Sequence, residues 1–286
     1  MNKHREIYSR TENGAVQLAA GVDRWHLYDD YVHLAPQDTT GGLLRFDAQL
    51  MPFVDHPAQQ ALVIVDMQND FLSPGGWTDA SGLDYRKCRA ALPGVIRALE
   101  VARQRQMWVI WVYWHNRPDL RNLGAPTLYS FKHKPSQKGI GEMLERGPVL
   151  TEGSWGARMA DELLPLMRPE DVCVEKVRMN GFVGTHLEQV LRTQGIETLL
   201  FAGVNIDQCV TSTMEEAYFR DYNTVLIEDA CATSSPDYCQ QAVVFNARNC
   251  WGFSLTTEQL AAATPFSGPE AAGEQSAASP EQRPGK

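Results

Sequence analysis

The sequence predicts a three-layer α/β/α fold built on a central, mostly parallel six-stranded sheet. Three observations carry that expectation. Six apolar runs, ALVIV (61–65), WVIWVY (108–113), DVCV (171–174), TLLFA (198–202), TVLI (224–227) and WGFSL (251–255), have the continuous β-branched and aromatic character of strands covered on both faces. Segments with helical start and stop signals lie between them. The regular alternation of the two implies a parallel sheet with helices on both sides.

The helices are justified in chain order. Pro93 suits a first turn, and Val95, Ile96, Leu99 and Ala102 form one apolar stripe behind it. Thr185 and Glu188 have the spacing of a capping box, with Gly195 where a helix stop belongs. Ser235-Pro236 opens a further helix before Ala242, Val243 and Phe245. Residues 58–264 are expected to form this domain. Residues 1–57 show no steady periodicity and read as an N-terminal extension that packs on the body or on a neighbouring subunit. Residues 265–286 contain no Val, Ile, Leu or Met, so they cannot bury enough surface to offset ordering entropy and read as a disordered tail.

Composition narrows the function. The 286 residues carry 26 Lys and Arg against 35 Asp and Glu, a net charge of −9. An acidic chain without a long basic run does not suit nucleic acid or an anionic membrane. The apolar runs are too short to span a bilayer. MNKHREIYSRTENG lacks the apolar core of a signal peptide, so a cytoplasmic protein with reduced thiols is expected. The six cysteines, at 88, 173, 209, 231, 239 and 250, contain no C-x-x-C pair and no zinc spacing. No G-x-G-x-x-G follows the first strand and no Walker sequence occurs, which argues against nucleotide binding. His115 and His133 lack a matching ligand cluster, so no metal is expected.

Ligands of an open parallel sheet bind beyond the carboxyl ends of its strands. The residues directly behind each run are therefore informative. Asp66 stands behind the first; Trp114, His115, Asn116 and Arg117 behind the second; Glu175 and Lys176 behind the third; Asp207-Gln-Cys209 behind the fourth; Glu228 and Asp229 behind the fifth. One rim thus gathers a carboxylate, an ammonium and a thiol. Cys209 falls in the first turn of a predicted helix, where unpaired N–H groups and a nearby Lys favour a thiolate. The bland alternatives are a small buried hydrophobe for Cys209, a loop-capping carboxylate for Asp66 and a solvated Lys for Lys176.

Four segments decide between these readings. ALVIVDMQNDF (61–71), EKVRMNGFVGTHLE (175–188), LLFAGVNIDQCVTSTMEEAYFRDY (199–222) and VLIEDACA (225–232) stand in an order and spacing that resembles the isochorismatase-like cysteine hydrolase family over residues 58–257. The resemblance implies an Asp66, Lys176 and Cys209 triad and a homo-oligomer, dimer or tetramer. It implies a cis peptide between Val204 and Asn205, with the N–H groups of Asn205 and Cys209 forming the oxyanion hole. No cofactor is implied. Cys209 argues against vinyl-ether hydrolysis of the isochorismatase type, which lacks the nucleophile. WHNRPDL (114–120) replaces the nicotinamidase metal motif and looks like the biuret-hydrolase branch. GGWTD (75–79) and GSWGARMADEL (153–163) look like the ureidoacrylate branch.

Asn180 and Ile206 depart from the residues common in the family, and residues 1–57 are longer than its usual lead-in. The implied activity is hydrolysis of a small ureido or carbamoyl-type amide through a thioester on Cys209. Phe71, Trp155 and Arg117 are expected to wall the pocket and hold the substrate. The rival readings are a hydrolase of another small amide, such as a maleamate or an N-carbamoyl amino acid, a catalytically silent metabolite-binding scaffold, and a redox-sensing thiol.

Overall fold

The computed structural model describes residues 8–11, 14–20, 23–34 and 41–268, in two compact units. The smaller unit holds the described residues up to Phe46, Pro52–His56 and the chain from Ala263. Its seven-stranded sheet runs in the order Tyr8–Arg10, Val16–Ala20, Asp23–Leu27, Val32–His33, Phe53–Asp55, Leu44–Phe46, Thr264–Pro265. All its pairings are antiparallel except that of Val32–His33 with Phe53–Asp55. Phe46 and Phe53, both fully buried, stack at 4.8 Å in its core. Strands of two to five residues are too short to declare a period, which is why this unit is silent in the sequence. The expected tail lies outside the described residues from 269 onward. Ahead of it, Thr264–Pro265 pairs with Leu44–Phe46, and the Phe266 ring packs 5.2 Å from Tyr31.

The larger unit, Asp47–Met51 with Pro57–Ala262, carries the six-stranded sheet. Its strands are β1 (Gln60–Val65), β2 (Trp108–Trp114), β3 (Val172–Lys176), β4 (Thr198–Val204), β5 (Asn223–Ala232) and β6 (Phe253–Leu255). They lie in the order 3-2-1-4-5-6 and are all parallel. Every residue of β1 and β4 is buried, as expected of strands covered on both faces. The sheet is flanked by helices, among them α1 (Leu92–Gln104), α2 (Leu187–Thr193), α3 (Thr211–Phe219) and α4 (Asp237–Asn246). On α1, Val95, Leu99 and Ala102 are buried, as their spacing requires.

Three details differ from the sequence reading. The fifth strand does not stop at Ile227 but runs to Ala232, so Glu228 and Asp229 are strand residues. Both carboxylates are engaged: Arg248 closes on Glu228, with Nη2 2.6 and 2.8 Å from its two oxygens, and Thr257 donates to Asp229. The box expected at Thr185 and Glu188 does not form, because α2 begins at Leu187; Thr185 Oγ1 accepts from Leu187 N at 3.2 Å instead. Cys209 lies not in an α-helical turn but in a π-helical one, Ile206–Val210, that leads into α3.

Candidate active site

In a sheet of order 3-2-1-4-5-6 the chain reverses its winding between β1 and β4, and the loops leaving those two strands part to form a crevice. Gly203 lets β4 approach β1 there, since a Cβ on it would stand 2.1 Å from Val65 O. Asp66 leaves β1 directly and takes a left-handed φ of 51°, a conformation that costs about 1–3 kcal/mol in a residue other than Gly. Its N–H donates to Val112 O at 2.8 Å, which ties the strained residue to β2.

Lys176 ends β3. Its Nζ stands 2.7 Å from Asp66 Oδ2, donates to Arg178 O at 3.2 Å and sits 4.2 Å from the centre of the Trp114 ring. Both charged side chains are essentially inaccessible, at 0% and 1%. Burial pushes the Asp66 carboxyl upward, and Lys176, Cys209 and Trp114 pull it partly back. Cys209 is 4% exposed, and its thiol faces the same carboxylate. Here the structure corrects the thiolate expected at a helix start: burial dominates and pushes the thiol up to about 12, with Lys176 opposing it. At neutral pH the Cys209 thiol is therefore protonated.

The segment before Cys209 is fixed from several sides. The peptide between Val204 and Asn205 is cis. Asn205 Oδ1 accepts from Cys88 Sγ at 3.1 Å and from Ser234 N at 3.3 Å. Thr213 Oγ1 donates to Cys209 O at 2.7 Å and accepts from Gly181 N at 3.0 Å, joining the loop after Lys176 to α3.

The structure therefore brings Asp66, Lys176 and Cys209 together, with Asn205 on the same loop as Cys209. Phe71 is buried and is linked to the cluster through a chain of rings: Phe71 meets Trp77 at 6.3 Å, Trp77 meets Phe131 at 4.9 Å, and Phe131 meets Trp114 at 5.2 Å. Trp155 packs beneath the Arg146 guanidinium at 3.4 Å. Arg117 is exposed, and its fork is occupied by Asp119, with Nε and Nη2 at 3.0 and 2.8 Å from the two carboxylate oxygens. An exposed pair of this kind is a surface feature, so Arg117 is not placed as a pocket wall.

Sequence reasoning set Trp114 on the rim without giving it a role, and it gave none to Gln68 or Cys88. Gln68 is fully buried; its Oε1 accepts from Trp114 N at 2.8 Å, and its Nε2 donates to Trp114 O at 2.7 Å and Ala157 O at 2.6 Å. The available signal was the polar run Gln68-Asn69-Asp70 placed directly behind a buried strand, because polar groups there must find partners. Among the described residues no group of three or more His, Cys, Asp or Glu side chains is arranged to hold a metal ion, and no helix is long and apolar enough to cross a membrane.

The sheet order and the groups at its switch point make this a doubly wound α/β protein of hydrolase type. Residues 60–259 match the family described as Isochorismatase domain, and the chain belongs to that family. Solved structures repeat the fold. A cysteine hydrolase from Pseudomonas syringae pv. phaseolicola 1448A is 21% identical, with a TM-score of 0.61 over 78% of this chain and 97% of its own. An isochorismatase family protein from Desulfovibrio vulgaris subsp. vulgaris str. Hildenborough is 26% identical, with a TM-score of 0.57 over 71% and 96%. N-carbamoylsarcosine amidase from Thermoplasma acidophilum is 24% identical, with a TM-score of 0.53 over 70% and 96%.

Proposed function

We propose that the chain is an amidohydrolase that cleaves a C–N bond of a small ureido or carbamoyl-type amide, biuret-like or ureidoacrylate-like, through a thioester on Cys209. The observation that carries the reading is the buried Asp66–Lys176 pair facing the Cys209 thiol at the sheet's switch point. A carboxylate kept basic by burial is suited to take a proton, and a protonated thiol needs a base to become a nucleophile.

The proton of Cys209 passes to Asp66, and Lys176 keeps its charge beside the pair. The thiolate attacks the carbonyl carbon, and the N–H groups of Asn205 and Cys209 receive the oxyanion. As the C–N bond breaks, Asp66 returns the proton to the leaving nitrogen. Water then gives a proton to Asp66 and attacks the thioester, the C–S bond breaks, and Cys209 recovers the proton as the acid or carbamate departs. The residues supply every proton transfer from within the cluster. We read the protein as a cytoplasmic homo-oligomer; Phe219, Tyr238 and Phe245, exposed on α3 and α4, support association.

An ammonia-release screen over biuret, ureidoacrylate, N-carbamoyl amino acids, maleamate and nicotinamide tests the reading, with Cys209→Ser as control. Ureido substrates are expected to turn over fastest, with Cys209→Ser retaining less than about a tenth of kcat, a loss above ~1.4 kcal/mol. Turnover confined to maleamate or nicotinamide overturns the ureido assignment, and full activity in Cys209→Ser overturns the nucleophile.

A further inference from the structure

Trp114 is the residue of this cluster that the reaction scheme has not used. It closes β2, is fully buried, and is held from three directions. Gln68 bonds both its N–H and its carbonyl, Phe131 meets its ring edge-on at 5.2 Å, and Lys176 Nζ lies 4.2 Å from its centroid. Its indole N–H is turned toward the Asp66 carboxylate and the Cys209 thiol, yet it closes a well-formed hydrogen bond to neither. A buried donor without a partner is unfavourable in a resting structure and is seldom left so. One that is rigidly held beside a group whose charge changes is a preorganised stabiliser of that charge.

We propose that Trp114 is a catalytic residue whose indole N–H takes up the negative charge of the Cys209 thiolate while Asp66 holds the proton. The proposal rests on the reading of Cys209 as nucleophile. The proton leaves Cys209 Sγ and goes to Asp66 Oδ. The net charge of the cluster is unchanged, and the negative charge moves from oxygen to sulfur. Lys176, fixed between Asp66 and Arg178 O, stays bound on the carboxylate side. The indole N–H, which faces both atoms, is free to close on sulfur once it is charged.

The test is alkylation of the full-length protein with iodoacetamide, located by mass spectrometry and followed from pH 6 to 10. Two variants at position 114 remove the N–H: Trp114→Phe, and replacement by the benzothiophene analogue of tryptophan, which keeps the ring's shape. In the wild type, Cys209 is expected to react fastest of the six thiols. In both variants its rate at pH 7 is expected to fall about tenfold or more, the loss of one charge-assisted hydrogen bond of ~1.4 kcal/mol, and its pH profile to move to higher pH. Should Trp114→Phe unfold, the analogue decides alone. A pH profile of the analogue that superposes on the wild type overturns the proposal and leaves Trp114 as packing. A wild-type Cys209 no faster than the other thiols overturns the nucleophile reading instead, so the two failures are distinguishable.

Discussion

Lys176 Nζ and Asp66 Oδ2 are 2.7 Å apart at the switch point of the sheet, with both side chains closed off from solvent. Such a pair is a weak source of stability, because desolvating two charges offsets their attraction, but breaking it by removing one partner costs about 3–5 kcal/mol. Lys176→Met is therefore expected to lower the unfolding free energy by about that amount in urea titrations at pH 8. Without the ammonium, the Asp66 carboxyl rises further and takes a proton as the pH falls, so the penalty shrinks toward acid pH. The double variant Asp66→Asn/Lys176→Met leaves no buried charge and is expected to return most of the stability without activity. Equal stability of Lys176→Met and wild type at pH 8 would show that the pair is hydrated.

Asp70 is a second buried carboxylate, 2% exposed, and among the described residues no ion pair is formed to it. Its Oδ2 accepts from Leu150 N at 2.7 Å and its Oδ1 from Trp77 N at 3.1 Å. Gly156 closes over it so tightly that a Cβ there would stand 2.3 Å from the carboxylate. Burial raises Asp70 from 3.8 to about 6, and the two N–H groups only moderate the rise. A folded-state value above the unfolded one means that the folded chain holds the proton more tightly. This contribution is full below about pH 4 and is lost as the pH rises through about 6. Asp70→Asn does not titrate. The stability of wild type relative to that variant is expected to rise by about 2–3 kcal/mol between pH 7 and pH 4. A constant difference across that range would mean that Asp70 is ionised throughout.

The reacting groups were legible because each stands behind a strand run that announces itself. ALVIV, DVCV and TLLFA end at the sheet's carboxyl edge, and parallel order puts those ends on one rim. The wall residues were not legible in the same way. Trp155 and Arg117 belong to long connections whose course is set by tertiary contacts, such as the Asn69 amide on Trp155 O and the Asp119 carboxylate on Arg117. Trp114 was placed on the rim behind WVIWVY but without a role, because only the pairing of β2 with β3 sets it opposite Lys176. The state of the Cys209 thiol was misjudged because sequence shows the nearby charge but not the depth of burial that outweighs it.

Arg117 separates two readings of the second loop. The sequence reading has its guanidinium gripping a distal carbonyl or carboxylate, for which Lys is a poor substitute. In the structure the fork is already closed on Asp119 at the surface. Arg117→Lys is therefore expected to change KM less than about twofold, as for an exposed pair. A rise in KM of tenfold with kcat unchanged would show that the arginine releases Asp119 and turns to the substrate.

The C-terminal boundary gives the last expectation. Composition puts the end of ordered structure after Thr264, since nothing beyond it is aliphatic in the sense of Val, Ile, Leu or Met. Within the smaller unit, however, the chain is still in use two residues later. Thr264–Pro265 pairs with Leu44–Phe46, Phe266 N donates to Leu43 O at 2.9 Å, and the Phe266 ring meets Tyr31 at 5.2 Å and His33 at 6.3 Å. A half-buried aromatic ring in such a cluster contributes about 0.5–1.5 kcal/mol beyond its buried area. A chain ending at Gly268 is expected to melt with the full-length protein, and one ending at Thr264 to show a lower first transition in calorimetry. Cys209 alkylation is expected to be the same in both, because the reacting groups lie in the larger unit. Coincident melting of the two truncated chains would show that Phe266 contributes nothing to the smaller unit and that the boundary read from composition is the working one.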